Sequence, residues 1–462
     1  MRFLYPLVFA LCCSLAGAAV PTPAAPTPTI IIDIHRVGAE ALAKLKVEPS
    51  VVWSAEFGNE LLLGVEAQSY HDWLSRPRVR AGAGAMSPRE LLIRDHACVH
   101  LAGQSANMIV GGYEVLRQPP SSILYQIRAG LPVLALPENG VVSRELANEA
   151  EPVTPAAWRA NVSQVVAQID ADRWFDTMAA LSAFNRNSYS PNLVQSRDWI
   201  LARFREAGLA TQSFPFTLSG ITSCTPTPPA VQLSNPIGVK QGRNLPNEWI
   251  VIGAHYDSRN VNRCDGTQAP QPGANDNASG CAGVIELARA FANVPTERSV
   301  LFMCFSGEEQ GLVGSRRYVE SLQGNGEITK VKHMINLDMI GFDPNNTRTV
   351  RIETRPPFES WLDTYAAAAT TYAPELNLIR TSNAAAASDH WHFLQAGVPS
   401  MFTWQNGASI YPHYHRDTDL PQNMTGARPI AGGILKMDAA ILADLAVLVP
   451  ASVPSLFRDG FE

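Results

Sequence analysis

The sequence predicts an α/β fold, a mostly parallel mixed sheet flanked by helices, preceded by a smaller N-terminal β-rich or α+β domain. Three observations carry this. Residues 249–254 and 299–305 are continuous apolar runs, the pattern of strands covered on both faces. They alternate with stretches of helical period such as 281–292, where Val284, Ile285, Leu287, Ala288 and Phe291 recur along one face. The chain also changes character near residue 154, from closely spaced strand-like runs to strand–helix alternation.

At the start of the chain, Arg2 precedes an apolar stretch over 3–16 and the small residues Ala16-Gly17-Ala18. This is the layout of a secretory signal peptide, 1–18, too short for a membrane span of about 20 residues. A Pro/Ala/Thr linker, 19–29, follows. Residues 30–153 form the N-terminal domain or propeptide, with strand-like runs at 30–34, 61–65 and 133–136 and turn punctuation at Gly82-Ala83-Gly84. Acidic and proline residues over 149–155 mark a boundary. From 156 to 450 runs the main domain: an amphipathic helix around 199–204 ended by Gly208, the strands and helix named above, a helix over 310–322, and strands at 334–337 and 399–404. Residues 451–462 are a C-terminal tail.

Composition excludes some classes of partner. The chain has 462 residues, 46% hydrophobic and 17% charged, with 36 basic against 42 acidic residues and a net charge of −6. That balance argues against nucleic acid or an anionic membrane surface as a partner. No later stretch is long and apolar enough to span a bilayer, so no membrane association is expected once the signal is removed, and the protein is expected to be secreted or periplasmic. Outside the signal, cysteines stand at 98, 224, 264, 281 and 304. Cys224 and Cys264 lie in loop-like segments and are the candidate disulfide of an oxidising compartment. Cys281 and Cys304 fall in an expected helix and strand, where buried free thiols are the ordinary expectation. There is no C-x-x-C, which argues against cysteine-bound zinc.

Five short segments put an ionisable residue just past an expected strand. They are 253–258 with His255 and Asp257, 273–280 with Asp276, 306–311 with Glu308 and Glu309, 336–339 with Asp338, and 414–417 with His415. Taken singly, each residue has a plain explanation: a core histidine, a helix cap, acids favoured at a helix N-terminus. Together they sit at the carboxyl ends of strands, where open α/β sheets bind ligands. Two imidazoles with several carboxylates suit zinc, and cobalt or manganese less selectively. The adjacent acids Glu308 and Glu309 suggest that one binds metal while the other takes a proton from water. Asp257 is placed to accept the free N–H of His255 and fix its tautomer. A Gly-x-Ser-x-Gly elbow and a His-Glu-x-x-His helix are both absent.

The order His-Tyr-Asp-Ser, Asn-Asp-Asn-Ala-Ser-Gly, Glu-Glu-Gln-Gly-Leu-Val-Gly-Ser, Leu-Asp-Met-Ile-Gly and Tyr-His-Arg-Asp-Thr-Asp resembles the secreted bacterial dizinc aminopeptidases, leucyl aminopeptidase-like zinc exopeptidases. The resemblance implies the zinc exopeptidase fold, two zinc ions per chain, and peptide or protein N-termini as substrate. It implies Asp276 bridging the ions, His255 with Asp338 on one, Glu309 with His415 on the other, and Glu308 as general base. Tyr414 matches a tyrosine that some members use to stabilise the oxyanion. His413 competes with His415 as ligand; Asp419 follows His415 at the spacing of the family motif. Ser388-Asp389-His390 matches a family segment before a late strand, with no chemical role assigned. Glutaminyl cyclases and carboxypeptidases share the scaffold; a carboxypeptidase needs a cation for the terminal carboxylate, for which Arg355 and Arg380 are the candidates. A non-catalytic binding module of the same fold is the remaining alternative, and it is expected to have lost ligands. The sequence does not set the oligomeric state.

Overall fold

The computed structural model describes residues 25–35, 37–95, 108–111, 113–123, 133–146, 154–220, 224, 226–261, 264–267, 270–383, 388–406 and 411–448. The signal segment 1–18, most of the linker, Cys98, most of the boundary at 149–155 and the tail 451–462 lie outside these residues. Among the described residues no helix is long and apolar enough to cross a membrane.

The strands in chain order are β1 (Thr27–Asp33), β2 (Val51–Phe57), β3 (Glu60–Val65), β4 (Val79–Met86), β5 (Leu91–Asp95), β6 (Met108–Val110), β7 (Tyr113–Arg117), β8 (Leu134–Ala135) and β9 (Gly140–Leu146). They continue with β10 (Ala210–Leu218), β11 (Val231–Lys240), β12 (Leu245–His255), β13 (Arg298–Phe305), β14 (Val331–Leu337), β15 (Thr349–Thr354), β16 (Asn377–Asn383) and β17 (Ser400–Gln405). Thirteen of them make one sheet in the order β10-β11-β13-β12-β14-β17-β15-β16-β9-β2-β3-β1-β4. Its centre is parallel, β13 and β14 flanking β12 and β17 following β14, while β10–β11, β11–β13 and β15–β17 are antiparallel.

Period-two burial explains the apolar runs. Ile250, Ile252, Ala254, Val300, Phe302 and Cys304 face a core built with the helices Ala171–Ser182, Leu193–Glu206, Ser279–Phe291 and Ala427–Leu445. Val251, Leu301, Met303 and Phe305 face the opposite core, closed by Val313–Gly324 and His390–Gln395 through Tyr318, Val319, Leu322 and Phe393. With both faces covered, the strands have no polar side to show.

Two local expectations need correction. Gly82 and Gly84 lie inside β4, not at a turn; a side chain on Gly82 would run into Thr29 of neighbouring β1, so close approach of the two strands accounts for that glycine. The helix expected from residue 310 begins at Val313, because Glu308 to Leu312 form a turn in which Gly311 (φ 110°) and Leu312 (φ 57°) are left-handed.

The N-terminal strands are not a separate sheet. β9 pairs antiparallel with β16, Arg380 opposite Leu146 and Asn383 opposite Ser143, so β9, β2, β3, β1 and β4 extend the sheet of residues 210–405. A second sheet, β6-β7-β5-β8, packs across it through Trp53, Phe57, Leu62, Leu91 and Ile93. The N-terminal strands thus cover the β16 edge, which would otherwise present unpaired backbone groups. Removing residues 1–153 is expected to give a catalytic fragment that self-associates, seen by light scattering after gel filtration. A monodisperse, soluble fragment would count against this.

Candidate metal centre

The strand ends bring the expected ligands together. His255 is the last residue of β12 and is almost wholly buried. Its Nε2 lies 3.2 Å from Asp276 Oδ1, 3.4 Å from Asp338 Oδ2 and 3.9 Å from Glu308 Oε2. On the other side of Asp276, its Oδ2 lies 3.1 Å from His415 Nε2, which is 3.3 Å from Glu309 Oε2. Two groups result, His255–Glu308–Asp338 and Asp276–Glu309–His415, the ligand atoms within each lying inside 4.8 Å of one another. Asp276 therefore touches both imidazoles, one through each carboxylate oxygen.

Not every ligand follows a strand directly. Asp276 stands at the entry to helix Ser279–Phe291, in backbone that is not helical (φ −113°, ψ 92°), and its peptide bond to Asn277 is cis. His415 lies in the loop after β17 with φ 55°. His413 stays outside both groups; it is partly exposed and its Nδ1 pairs with Thr418 Oγ1 at 2.9 Å. Tyr414 stacks on His415, ring centroids 3.7 Å apart, beside an aromatic cluster of Phe342, Trp404 and Tyr411.

The expected role of Asp257 is corrected in detail. His255 Nδ1 donates to the backbone carbonyl of Asp257 at 3.1 Å, which still fixes the tautomer with Nε2 toward the acids, while the nearer carboxylate oxygen is 3.6 Å away. The carboxylate is engaged elsewhere: it accepts from the amides of Glu308 and Glu309, both at 3.2 Å, and from Ser188 Oγ at 2.9 Å. Asp257 thus holds the amides of both paired acids, in a turn closed by Gly311 and Leu312 N donating to Glu308 O.

Several groups to which the sequence assigned no chemical role complete the frame. Asp419 accepts the amides of Asn275 and Asp276, at 2.9 and 3.0 Å, and the Tyr411 hydroxyl at 2.5 Å. Ser388 Oγ donates to Asp338 Oδ2 at 2.6 Å and accepts from Asn336 at 2.9 Å. Asn277 bonds Leu337 O, Gly280 N and Met339 N, tying the helix entry to the Asp338 turn. Arg186 is fully buried and donates to the carbonyls of Leu181, Tyr256, Pro272 and Gly273 at 2.7–2.9 Å, joining the His255 and Asp276 segments. Arg259, also buried, has its Nε 3.9 Å from Glu309 Oε2. For Ser388 and Asp419, membership of the motif segments was the available signal. For Arg186 there was none.

Electrostatics follow from burial. Desolvation pushes the Glu308 carboxyl well above the usual range against the pull of His255, and the charges of Glu309, Asp389 and Asp338 add to it. Glu309 and Asp338 are raised for the same first reason. Burial raises Asp276, but hydrogen bonds and charge from the protonated forms of His255 and His415 outweigh it and hold the carboxyl low. Glu308 Oε1, Glu309 Oε1 and Asp338 Oδ1 are buried with no hydrogen-bond donor. Buried carboxylate oxygens are normally paired or coordinate a metal. This donor set, imidazole nitrogens and carboxylate oxygens in two adjoining groups, fits two divalent cations of the zinc type.

A second cross-link overturns an expectation. Cys224 is bonded to Cys264, and Cys281, expected with Cys304 as a free thiol, is bonded to Cys304. Their Cα atoms are 5.9 Å apart, where the helix bearing Cys281 lies flat on β13. Sequence position alone did not show that the two faced each other.

Residues 235–431 match the family described as peptidase family M28. Among curated relatives, a probable zinc metalloprotease of Pyrenophora tritici-repentis is 30% identical over 281 residues, 53% of this chain and 56% of that protein. Aminopeptidase YwaD of Bacillus subtilis is 31% identical over 200 residues, 42% of this chain and 41% of its own. The chain thus spans about half the length of the curated relatives it matches. In fold, it is similar to the LapA aminopeptidase of Legionella pneumophila, with a TM-score of 0.53 at 18% identity over 92% of this chain and 99% of that one. The resemblance drawn from the motifs, and the α/β fold it implies, are borne out.

Replacing Arg186 by methionine leaves four buried carbonyls without their donor and removes a buried cation from among the acids. The expected loss is about 3–5 kcal/mol, measured by denaturant unfolding; a loss within experimental error would show that the carbonyls find other partners.

Proposed function

We propose that this chain, with its M28-matching segment at the centre of the sheet, is a secreted aminopeptidase that holds two zinc ions between His255, Asp338, Asp276, Glu309 and His415. The observation that carries the reading is Asp276, whose two oxygens face the two imidazoles and so join the two groups into one centre. Zinc bound there supplies Lewis acidity toward the scissile carbonyl and lowers the pKa of a water. Glu308, beside His255 and with its carboxyl pushed up by burial, takes the proton from the attacking water and returns it to the leaving amine. Asp257 keeps Glu308 and Glu309 in fixed orientation by holding both amides. Tyr414, stacked on His415, is the candidate donor to the developing oxyanion.

The acid-rich centre suits a substrate with a free α-ammonium, for which Glu308 or a ligand carboxylate is the acceptor. A carboxypeptidase needs an available cation instead. Arg380 is ion-paired with Asp363 at 2.6 Å, and Arg355 lies 5.9 Å from the Trp391 ring. Both disulfides, and the signal-like residues 1–18, support export to an oxidising compartment.

Exhaustive chelation is expected to abolish activity, with zinc or cobalt restoring it; full turnover by protein shown metal-free by elemental analysis would exclude a metal mechanism. Glu308→Gln is expected to retain zinc and lose turnover about 10²–10⁴-fold, whereas Glu309→Gln releases zinc. Zinc loss in the first variant together with full zinc and activity in the second would reverse the two roles. Leucine p-nitroanilide is expected to be cleaved and its N-acetyl analogue spared. Comparable kcat/KM for the pair would sink the aminopeptidase reading while leaving the metal centre standing.

A further inference from the structure

The Cys281–Cys304 disulfide lies where the ligand-bearing segments converge. Cys304 is the penultimate residue of β13; it stands opposite Ala254, the neighbour of His255, and four residues before Glu308. Cys281 sits in the first turn of helix Ser279–Phe291, five residues after Asp276. The next-door Gly280 has no room for a side chain, because Leu337 O and the Asn277 side chain occupy that space one residue before Asp338. Both cysteines are fully buried. One covalent bond therefore fixes the element that carries Asp276 to the strand that leads to Glu308 and Glu309, and through the strand register to His255.

That separation is the one on which the centre depends. Asp276 stands 3.2 and 3.1 Å from the two imidazoles, so movement of the helix along β13 changes its distance to both. Its own backbone is not held by regular helical hydrogen bonds, so its position is imposed from outside. Apolar packing resists sliding softly, whereas a covalent link resists it stiffly. A site already held at ligating distances has less to rearrange when a cation binds.

We propose that the Cys281–Cys304 bond is a positioning cross-link of the metal centre, raising its affinity for zinc beyond any contribution to global stability. This rests on the two-zinc reading above. The Cys224–Cys264 bond, between two loop residues, serves as the internal control: it contributes to stability and not to zinc affinity.

The test measures zinc dissociation constants by competition with a chromophoric chelator, well below the unfolding temperature. It compares wild type, Cys281→Ala/Cys304→Ala, the volume-filling pair Cys281→Ala/Cys304→Val, and Cys224→Ser/Cys264→Ser, with far-ultraviolet circular dichroism as the check on folding. The expected result is affinity about 10–100-fold weaker in whichever Cys281/Cys304 pair retains wild-type secondary structure, and unchanged affinity in the Cys224/Cys264 pair despite its lower melting temperature. Wild-type affinity in a folded Cys281/Cys304 pair overturns the proposal, and so does equal weakening in the control pair. Neither Cys281/Cys304 pair folding also overturns it, since the bond would then be a requirement of the fold. Wild type that binds no zinc overturns the two-zinc reading itself and is distinguished by that first measurement.

Discussion

Seven carboxylates, Asp257, Asp276, Glu308, Glu309, Asp338, Asp389 and Asp419, are buried in one region with at most 5% of any of them exposed. Burying even one ionised carboxylate is costly unless it is paired or hydrogen-bonded. Much of the surrounding structure can be understood as the several ways in which this cost is met. Asp257 and Asp419 are met by backbone amides, two each, together with a hydroxyl from Ser188 or Tyr411. Asp276 is met by two imidazoles. Arg186 adds a positive charge below the centre, its pKa lowered to about 10 by burial yet still protonated at neutral pH, with its donors spent on carbonyls. The oxygens left over belong to Glu308, Glu309, Asp338 and Asp389, and the first three line the place where cations fit.

The architecture that permits this is the parallel centre of the sheet. Because β12, β13 and β14 run the same way, their carboxyl ends deliver His255, the Glu308–Glu309 turn and Asp338 to one edge. Helix Ser279–Phe291, lying across the strands, brings Asp276 to the same edge from its N-terminal end. The two remaining constraints come from turns: left-handed backbone at Gly307, Gly311 and Leu312 shapes the segment of the paired acids, and it turns the chain at Met339, beside Asp338, and at His415 itself.

What was legible in the sequence was what period and local motif encode. The runs at 249–254 and 299–305 fall in β12 and β13 because both faces of those strands are covered, and the ionisable residues beside them were noticeable for standing where apolar runs stop. What escaped depended on contacts between distant segments. The pairing of β9 with β16 joins residues more than 230 apart, and no local pattern marks two strands as neighbours across a domain boundary. Asp257 looked like a partner for the nearest imidazole, two residues away; its carboxylate reaches instead across the β12–β13 pair to amides more than 50 residues on. Arg186 lies in a segment with no motif at all. Cys281 and Cys304 looked like ordinary core residues because each sits in a regular element, and only the packing of that helix on that strand makes them neighbours.

Positional restraint also differs between the ligands, and the difference follows from where each stands. His255 is fixed by the sheet ladder and by its bond to the Asp257 carbonyl. Asp338, one residue beyond β14, is steadied by Ser388. Glu308 and Glu309 stand in a turn, held at their amides by Asp257. Asp276 has neither a strand nor a regular helix beneath it, and its restraint comes from outside: Asp419 at its amide, Asn277 and Gly280 packed on the Asp338 turn, and a disulfide five residues along. A residue that faces both groups needs this more than one that faces a single group, since an error in its place disturbs two groups at once.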